Sequence, residues 1–326
     1  MKGIGGFHIA ALATDDEVVL SLRDKKKRPQ KPFALMALDI GVARKIVDID
    51  EKAEKLLLSP SRPIVLLPRK CDGLVSKYVA PGLDKLGVMI AYSGIHFLLL
   101  RNTKDKFLIM TSGNRTNKPI CISFREAFKQ LSGIVDYFLV HNRRIINRVD
   151  DSVVRFTNGE PVFIRRSRGY VPEWIEIPID LGKSIIAFGA ELQNAGAIAF
   201  RNKVVLTQFV GDMDELENIM FLENALEYLM RAYRIDVEDS ILVADMHPRY
   251  ATRRLAEEWA RMYDTEYITV QHHKAHICSV LAEYGVKTDE KIVGIAIDGV
   301  GYGEDGMIWG GEAFYGTPAN LQRVGH

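Results

Sequence analysis

Apolar and polar positions alternate in two rhythms along the 326-residue chain. In the first half, short apolar runs bounded by turn residues predict buried strands over residues 63–67 (Pro-Ile-Val-Leu-Leu) and 107–110 (Phe-Leu-Ile-Met). Two further strands are predicted over 149–156 and 161–166. Ser123, with Glu126 three residues later, forms a capping box and predicts a helix running through Leu131. Residues 172–182, with Pro178 and Gly182, read as a linker. Beyond it, residues 184–190, 195–201 and 203–210 read as three strands with short turns. Residues 214–234 carry Leu216, Ile219, Met220, Leu226, Leu229, Met230 and Tyr233 at helical spacing, which predicts a long amphipathic helix. Strand 240–245, helix 250–263, strand 266–271, helix 273–284 and strands 291–298 and 307–314 complete the pattern.

The expected class is mixed α/β. A chain of this length accommodates about two domains of roughly 100–200 residues, expected here as 1–174 and 183–326. Three strands followed by αβαβα is the order of one lobe of a ribonuclease-H-like domain. With 47% hydrophobic and 26% charged residues, the chain is neither disordered nor collagenous nor coiled-coil. The 43 basic and 42 acidic residues nearly cancel, but residues 1–180 hold 30 basic and 20 acidic side chains and 181–326 hold 13 and 22. A basic half suits an anionic ligand; opposite fields that help two domains dock are the plainer explanation. Cys71, Cys121 and Cys278 form no CxxC pair, so a reducing cytoplasm is the expected compartment. The most apolar stretch, 86–100, contains Tyr92, Ser93 and His96, and it is shorter than the roughly 20 residues of a membrane span.

Four segments could carry chemistry. Residues 23–31 hold six cations, with Lys26, Arg28 and Lys31 beside Pro29 and Pro32. Prolines stiffen such a loop, lowering the cost of holding like charges together. It reads as a polyphosphate cradle, or as a solvated basic loop or nucleic-acid patch. Thr111-Ser112-Gly113-Asn114 directly follows a strand, where small hydroxyls and a glycine let phosphate approach the backbone. Asp150-Asp151-Ser152 and Arg165, Arg166 and Arg168 add a hydroxyl and three guanidinium forks. No Walker A or GxGxxG pattern is present. In Gln271-His272-His273-Lys274-Ala275-His276, His272 and His276 are spaced i,i+4 on a predicted helix, so they share a face and can bind one metal, zinc or iron. Position 273 is not glutamate, which excludes the HExxH pattern; two surface histidines are the plain alternative. Asp298, expected at a strand end before the glycine-rich residues 299–306, could add a carboxylate. His8, His96, His141, His247 and His326 read as structural.

Taken in chain order, these segments resemble the HypF family, the carbamoyltransferases of nickel–iron hydrogenase maturation. The matching pieces are Lys2-Gly3-Ile4-Gly5-Gly6-Phe7-His8, Lys31-Pro32-Phe33-Ala34-Leu35-Met36, Val79-Ala80-Pro81-Gly82, Thr111-Ser112-Gly113-Asn114, Asp150-Asp151-Ser152-Val153-Val154-Arg155 and Arg165-Arg166-Ser167-Arg168-Gly169-Tyr170-Val171-Pro172. In the second half they are Gly189-Ala190-Glu191-Leu192-Gln193-Asn194, Gly211-Asp212, His247-Pro248, the histidine cluster and residues 298–312. The resemblance implies a YrdC-like α/β domain followed by part of an ASKHA-type, ribonuclease-H-like carbamoyltransferase domain. It implies that ATP, with Mg2+, and carbamate derived from carbamoyl phosphate form carbamoyl-adenylate. The carbamoyl group then passes to the C-terminal cysteine of HypE, towards a cyanide ligand of the hydrogenase iron. On this view Lys26, Arg28 and Lys31 are the catalytic cations, and Thr111, Ser112, Asn114, Ser152, Arg166 and Arg168 surround the nucleotide. His272, His276 and Asp298 would hold a zinc or iron ion.

The departures from the family shape further expectations. The family usually begins with an acylphosphatase domain and a CxxC-rich zinc-finger region, and this chain has neither. The first strand of the YrdC-like domain and a later metal-binding aspartate are also expected to lie outside it. The chain therefore reads as an internal fragment, from a split gene, a gene remnant or a truncated form, whose metal site and transfer activity would need the missing segments, separately encoded in the split-gene case. The family usually has a third consecutive histidine where Lys274 stands. The alternatives are an enzyme of the tRNA threonylcarbamoyladenosine pathway and a duplex-RNA-binding YrdC module, with RNA the less favoured partner.

Overall fold

The computed structural model describes residues 1–70 and 73–326; Cys71 lies outside the described residues. The chain divides into two compact units, Met1–Tyr170 and Val171–His326. No helix among the described residues is long and apolar enough to cross a membrane.

In the first unit the elements run β1 (His8–Ala11), α1 (Asp16–Lys25), β2 (Leu35–Ala37), α2 (Ile40–Ala43), α3 (Glu51–Leu58), β3 (Ile64–Pro68), β4 (Lys85–Ile90), α4 (Gly94–Arg101), β5 (Phe107–Ser112), α5 (Phe124–Leu131), β6 (Val153–Thr157) and β7 (Glu160–Arg165). The strands form one mixed sheet in the order β1-β5-β2-β4-β3-β6-β7. Side chains alternate across a strand, so each central strand feeds two cores. Leu35, Ala37, Val88, Ile90, Phe107 and Ile109 pack with Val19 and Leu22 of α1, Leu57 of α3 and Leu131 of α5. Met36, Met89, Leu108 and Met110 face the other way and pack with Leu100 of α4. The predicted helix through Leu131 begins at Phe124, and the Ser123 hydroxyl accepts the Glu126 N–H as expected. The return bond differs: the Glu126 carboxylate accepts the N–H of Ile122, one residue before the cap. The basic segment at 23–31 is not wholly a loop. Arg23 and Lys25 lie in the last turn of α1, and Lys26 caps it.

The second unit runs β8 (Trp174–Ala187), β9 (Ala197–Leu206), α6 (Leu216–Tyr233), β10 (Ser240–Asp245), α7 (Ala251–Tyr263), β11 (Glu266–Val270), α8 (His272–Glu283), β12 (Ile292–Tyr302), β13 (Ile308–Thr317) and β14 (Asn320–Gly325). A four-stranded sheet has the order β11-β10-β8-β9. β10 is parallel to β8 and β11, and β9 is antiparallel to β8. Ile186, Phe188, Ile198, Leu242, Leu226 and Trp259 form its core with α6 and α7.

Three expectations are corrected here. Residues 172–182 are not a linker, because β8 starts at Trp174 and pairs that residue with Val205. The predicted strands 195–201 and 203–210 are one strand, β9. Arg201 adopts a left-handed φ of 51°, and the register of β8 and β9 shifts around Leu181 and Arg201, so the ribbon bends without ending. Asp298 is inside β12, between the paired positions Ile297 and Gly301 where the register slips, and not at a strand end. The bulge re-aims the side chain. β12 is also one-sided: Ala296 is buried while Val293, Ile295 and Ile297 are exposed. β12, β13 and β14 form a separate antiparallel sheet whose inner face, Ala296, Trp309, Phe314 and Leu321, packs with Ile277 of α8.

All three tryptophans, Trp174, Trp259 and Trp309, lie in the second unit, so intrinsic tryptophan fluorescence reports its unfolding alone. Leu242 is fully buried in the middle of β10. Leu242→Ala should lower the urea midpoint read by that fluorescence, through a loss of about 2–5 kcal/mol from transfer and cavity terms. An unchanged midpoint would show that this sheet is not the core of the unit.

Candidate functional site

In the first unit the site is built where the end of α1 meets the end of β5. Val19, Leu22, Arg23 and Lys26 fall at i, i+3, i+4 and i+7, on the buried face of α1. Two cations are thereby carried inwards by helical geometry. Arg23 donates from Nε and both terminal nitrogens to the carbonyls of Tyr78, Arg28, Pro29, Lys31 and Val79. The loop after the helix winds around this one guanidinium. Arg23 and Arg28 also lie over the Phe33 ring, at 4.7 and 5.1 Å. Arg23 does not stand out by residue type among the six cations; its place beside Val19 and Leu22 at buried-face spacing is the signal in the sequence.

Lys26 is only 4% exposed, and its Nζ donates to the Ser112 carbonyl at 2.6 Å and to Asn114 Oδ1 at 3.5 Å. Arg28 donates to Thr111 Oγ1 at 3.2 Å and to the carbonyls of Lys31 and Pro32. Ser112 Oγ donates to Asn114 Oδ1, and Asn114 Nδ2 donates to the Lys118 carbonyl. Thr116 Oγ1 closes the ring on the Lys26 carbonyl. Gly113 is required here: a Cβ on it would fall 2.6 Å from the Phe7 carbonyl oxygen. The structure thus gathers Lys26, Arg28, Thr111, Ser112 and Asn114. Burial, then the Arg28 charge, lowers the pKa of Lys26 to about 7, and the Lys31 ammonium adds to the same field. Burial, then the Arg165 and Arg23 charges, lowers Arg28 to about 10.

The other expected nucleotide residues divide. Asp150 pairs with Arg165, whose charge reaches Arg28. Arg166 follows, half-buried, at the end of β7. Ser152 and Arg168 instead belong to a buried brace, and among the described residues their hydrogen bonds are not with the Lys26 cluster. Ser152 Oγ accepts the Ser167 N–H at 2.8 Å and donates to the Arg168 carbonyl at 2.9 Å. Arg168 donates Nε to Asp151 at 2.7 Å and its terminal nitrogens to the Ser61 and Arg62 carbonyls, and it lies 3.6 Å over the Tyr92 ring. His8 Nε2 stands 3.3 Å from the other Asp151 oxygen. These partners hold the Asp151 carboxyl well below the usual carboxylate range, against the opposing effect of burial.

In the second unit α8 brings His272 and His276 onto one face, with their Nε2 atoms 3.1 Å apart. Asp298 Oδ2 lies 3.0 Å from His272 Nε2 and 3.8 Å from His276 Nε2. The three donor atoms lie within 4.8 Å of one another, a spacing that one ion can span. Behind them, His272 Nδ1 is 2.6 Å from Asp245 Oδ2. That hydrogen bond chiefly raises the His272 pKa, while burial, then the His272 charge, lowers that of His276. Lys274 points into an ion pair with Glu304 and takes no part. Asp245 went unnoticed in the sequence. It ends a parallel strand, the edge at which open α/β sheets present ligand-binding groups, and that was the signal.

Residues 1–167 match the Sua5/YciO/YrdC family, described as telomere recombination. Residues 180–283 match the HypF Kae1-like domain, and 294–326 the second subdomain of the Kae1-like carbamoyltransferase domain. The probable carbamoyltransferase HypF of Methanocaldococcus jannaschii is 42% identical over 328 residues, and the carbamoyltransferase HypF of Synechocystis is 41% identical over 326. Both alignments take in 100% of this chain and 42% of the relative, so the chain spans less than half the length of these relatives. The crystal structure of T. kodakarensis HypF superposes with a TM-score of 0.94 at 42% identity, over 100% of this chain and 42% of that one. Full-length HypF in a phosphate- and nucleotide-bound form gives 0.91 at 40%, over 99% and 42%.

The Lys26 shift has a signed consequence. An unfolded lysine keeps its proton to about 10.5, and folded Lys26 releases it at about 7. Between those values the unfolded state binds the additional proton, so the stability of Met1–Tyr170 should rise with pH across the window, by at most about 1.4 kcal/mol per pH unit. Below about 7 both states are protonated and the cost of the buried charge is fully present. Lys26→Met should flatten this dependence, and the 13Cε resonance of Lys26 should titrate near 7. A midpoint near 10 would contradict the desolvated site.

Proposed function

Because the chain belongs to the HypF family, as its Sua5/YciO/YrdC and HypF Kae1-like modules establish, we propose that it supplies the carbamate-activating unit and part of the transferring unit of a hydrogenase-maturation carbamoyltransferase. One observation carries this reading: a desolvated ammonium, Lys26, held at the Ser112–Asn114 turn beside Arg28. An ammonium has three donors, and two of those on Lys26 face Ser112 and Asn114. The third remains for an anion, whose arrival would restore the proton that burial loosens. ATP and carbamate are such anions, and Mg2+ would accompany the triphosphate as part of the substrate.

In the proposed reaction a carbamate oxygen attacks the α-phosphorus of ATP. The new O–P bond forms as the bond to the bridging oxygen breaks, and pyrophosphate leaves with the electron pair. Charge accumulates on the phosphoryl oxygens, where Lys26, Arg28 and Lys31 can stabilise it in a low-dielectric setting. Thr111, Ser112, Asn114 and Arg166 would orient the nucleotide. The braced Ser152 and Arg168 would support the segment carrying Asp150, Arg165 and Arg166.

The carbamoyl group would then pass to the C-terminal cysteine thiolate of HypE, with AMP as leaving group, in the cytoplasm. The thiocarboxamide formed is the precursor of a cyanide ligand of the nickel–iron site. His272, His276 and Asp298 fit a zinc or iron ion, since two imidazole nitrogens and a carboxylate oxygen converge on one point. Such an ion would supply Lewis-acid stabilisation of negative charge at the transfer site. This chain's own part there is to orient those three side chains and to wall the site with α8 and β12.

The test is exchange of labelled pyrophosphate into ATP, driven by ammonium bicarbonate as the source of carbamate. The chain should catalyse it, and Lys26→Met and Arg28→Ala should each slow it about 10–100-fold, as expected for losing a charge-assisted bond of about 1.5–3 kcal/mol. Carbamate-dependent exchange that survives the double substitution would overturn the assignment.

A further inference from the structure

Asp245 is the last residue of β10, and its side chain is 5% exposed. Its two oxygens have separate tasks. Oδ1 accepts the backbone N–H of His247 at 2.8 Å. Oδ2 meets His272 Nδ1 at 2.6 Å. The opposite ring nitrogen, Nε2, stands 3.0 Å from Asp298 and 3.1 Å from His276 Nε2. One imidazole is therefore gripped from behind by a buried carboxylate and aimed forwards at the converging donors. Among the described residues His276 has no such support: its side chain is 57% exposed against 20% for His272, and its ring nitrogen contacts are those inside the cluster.

A carboxylate facing Nδ1 keeps the proton on Nδ1 and leaves the lone pair on Nε2, the atom a metal needs. It also raises the basicity of that nitrogen and stops rotation of the ring. We infer that Asp245 is a positioning residue that sets the tautomer and aim of His272, making His272 the anchoring ligand and His276 the yielding one. The inference rests on reading His272, His276 and Asp298 as metal ligands, and it adds which ligand dominates and why. Asp245 acts through His272 and touches no metal itself.

Asparagine separates this role from packing. Asp245→Asn keeps the shape and still offers an oxygen to the His247 N–H. Its amide then presents N–H groups to His272, so the ring must accept at Nδ1 and carry its proton on Nε2, where the metal would bind. The experiment measures Zn2+ affinity of the full 326-residue chain by competition with a chromophoric chelator, with the Co2+ absorption spectrum as a second readout. Asp245→Asn should weaken Zn2+ about 10–100-fold and shift the Co2+ bands, more than any loss of stability in the metal-free chain accounts for. His276→Ala should cost less than His272→Ala.

Equal Zn2+ affinity in wild type and Asp245→Asn would overturn the inference. So would weakening that only follows a lowered melting temperature, which would make Asp245 structural. If wild type and His272→Ala alike fail to bind Zn2+, the metal reading itself falls and takes the inference with it. Should Asp245→Asn not fold, the zinc-loaded wild type decides by nitrogen NMR: a protonated, hydrogen-bonded Nδ1 on His272 supports the inference, and zinc bound at Nδ1 overturns it.

Discussion

Arg23 and Lys26 carry positive charge into the first unit with no carboxylate in contact among the described residues. Removing a charge from water costs several kcal/mol unless dipoles or counter-charges replace the solvent. Here the replacement is mostly backbone carbonyls, and carbonyls must be aimed. Five converge on Arg23 and one on Lys26, and each fixes a peptide plane in the loop after α1 or in the segments beside it. The arrangement of the candidate nucleotide site follows from this requirement. The same rule governs three buried carboxylates, met by different means. Asp151 is flanked by His8 and Arg168, Asp245 by His272 and a backbone N–H, and Glu312 by Arg323 and the Gly310 N–H.

What could be read from the sequence was what depends on local chemistry. The Ser123 cap, the i,i+4 histidines and the order of strands and helices after residue 214 rest on spacing within a dozen residues, and the structure contains them. What could not be read depends on partners distant in the chain. Residues 172–182 look like a linker because Pro178 and Gly182 are turn residues, yet pairing with β9 keeps them extended. β9 looks like two strands because Arg201 and Asn202 are polar, yet the ribbon bends through them. Asp298 looks like a strand end because glycines follow it, and pairing of Gly301 and Tyr302 with β13 carries the strand past it.

The two sites were legible to different depths. Lys26, Arg28 and the Thr111–Asn114 turn were visible as residue types, since clustered cations and small hydroxyls announce anion chemistry. Arg23 and Asp245 were harder to see because their contacts are with other parts of the protein: one holds a loop by its carbonyls and the other holds a ring by its far side. Supporting residues of this kind are found by asking which buried polar group holds another in place. Ser152 and Arg168 illustrate the converse. Their residue types suit a nucleotide, and in the structure they bind Ser61, Arg62, Asp151, Ser167 and each other.

The Asp151 brace also restricts how this sequence can drift. Removing one partner of a buried ion pair costs about 3–5 kcal/mol because the other is stranded without water, and a domain has only about 5–15 kcal/mol of net stability to lose. Asp151 and Arg168 flank the β6–β7 pair, whereas His8 comes from the other end of the unit's sequence, and His8 and Arg168 grip the one carboxylate of Asp151. A change at any one position therefore removes a large share of the domain's net stability unless another changes with it. The three positions should behave as one heritable unit, altered together or not at all.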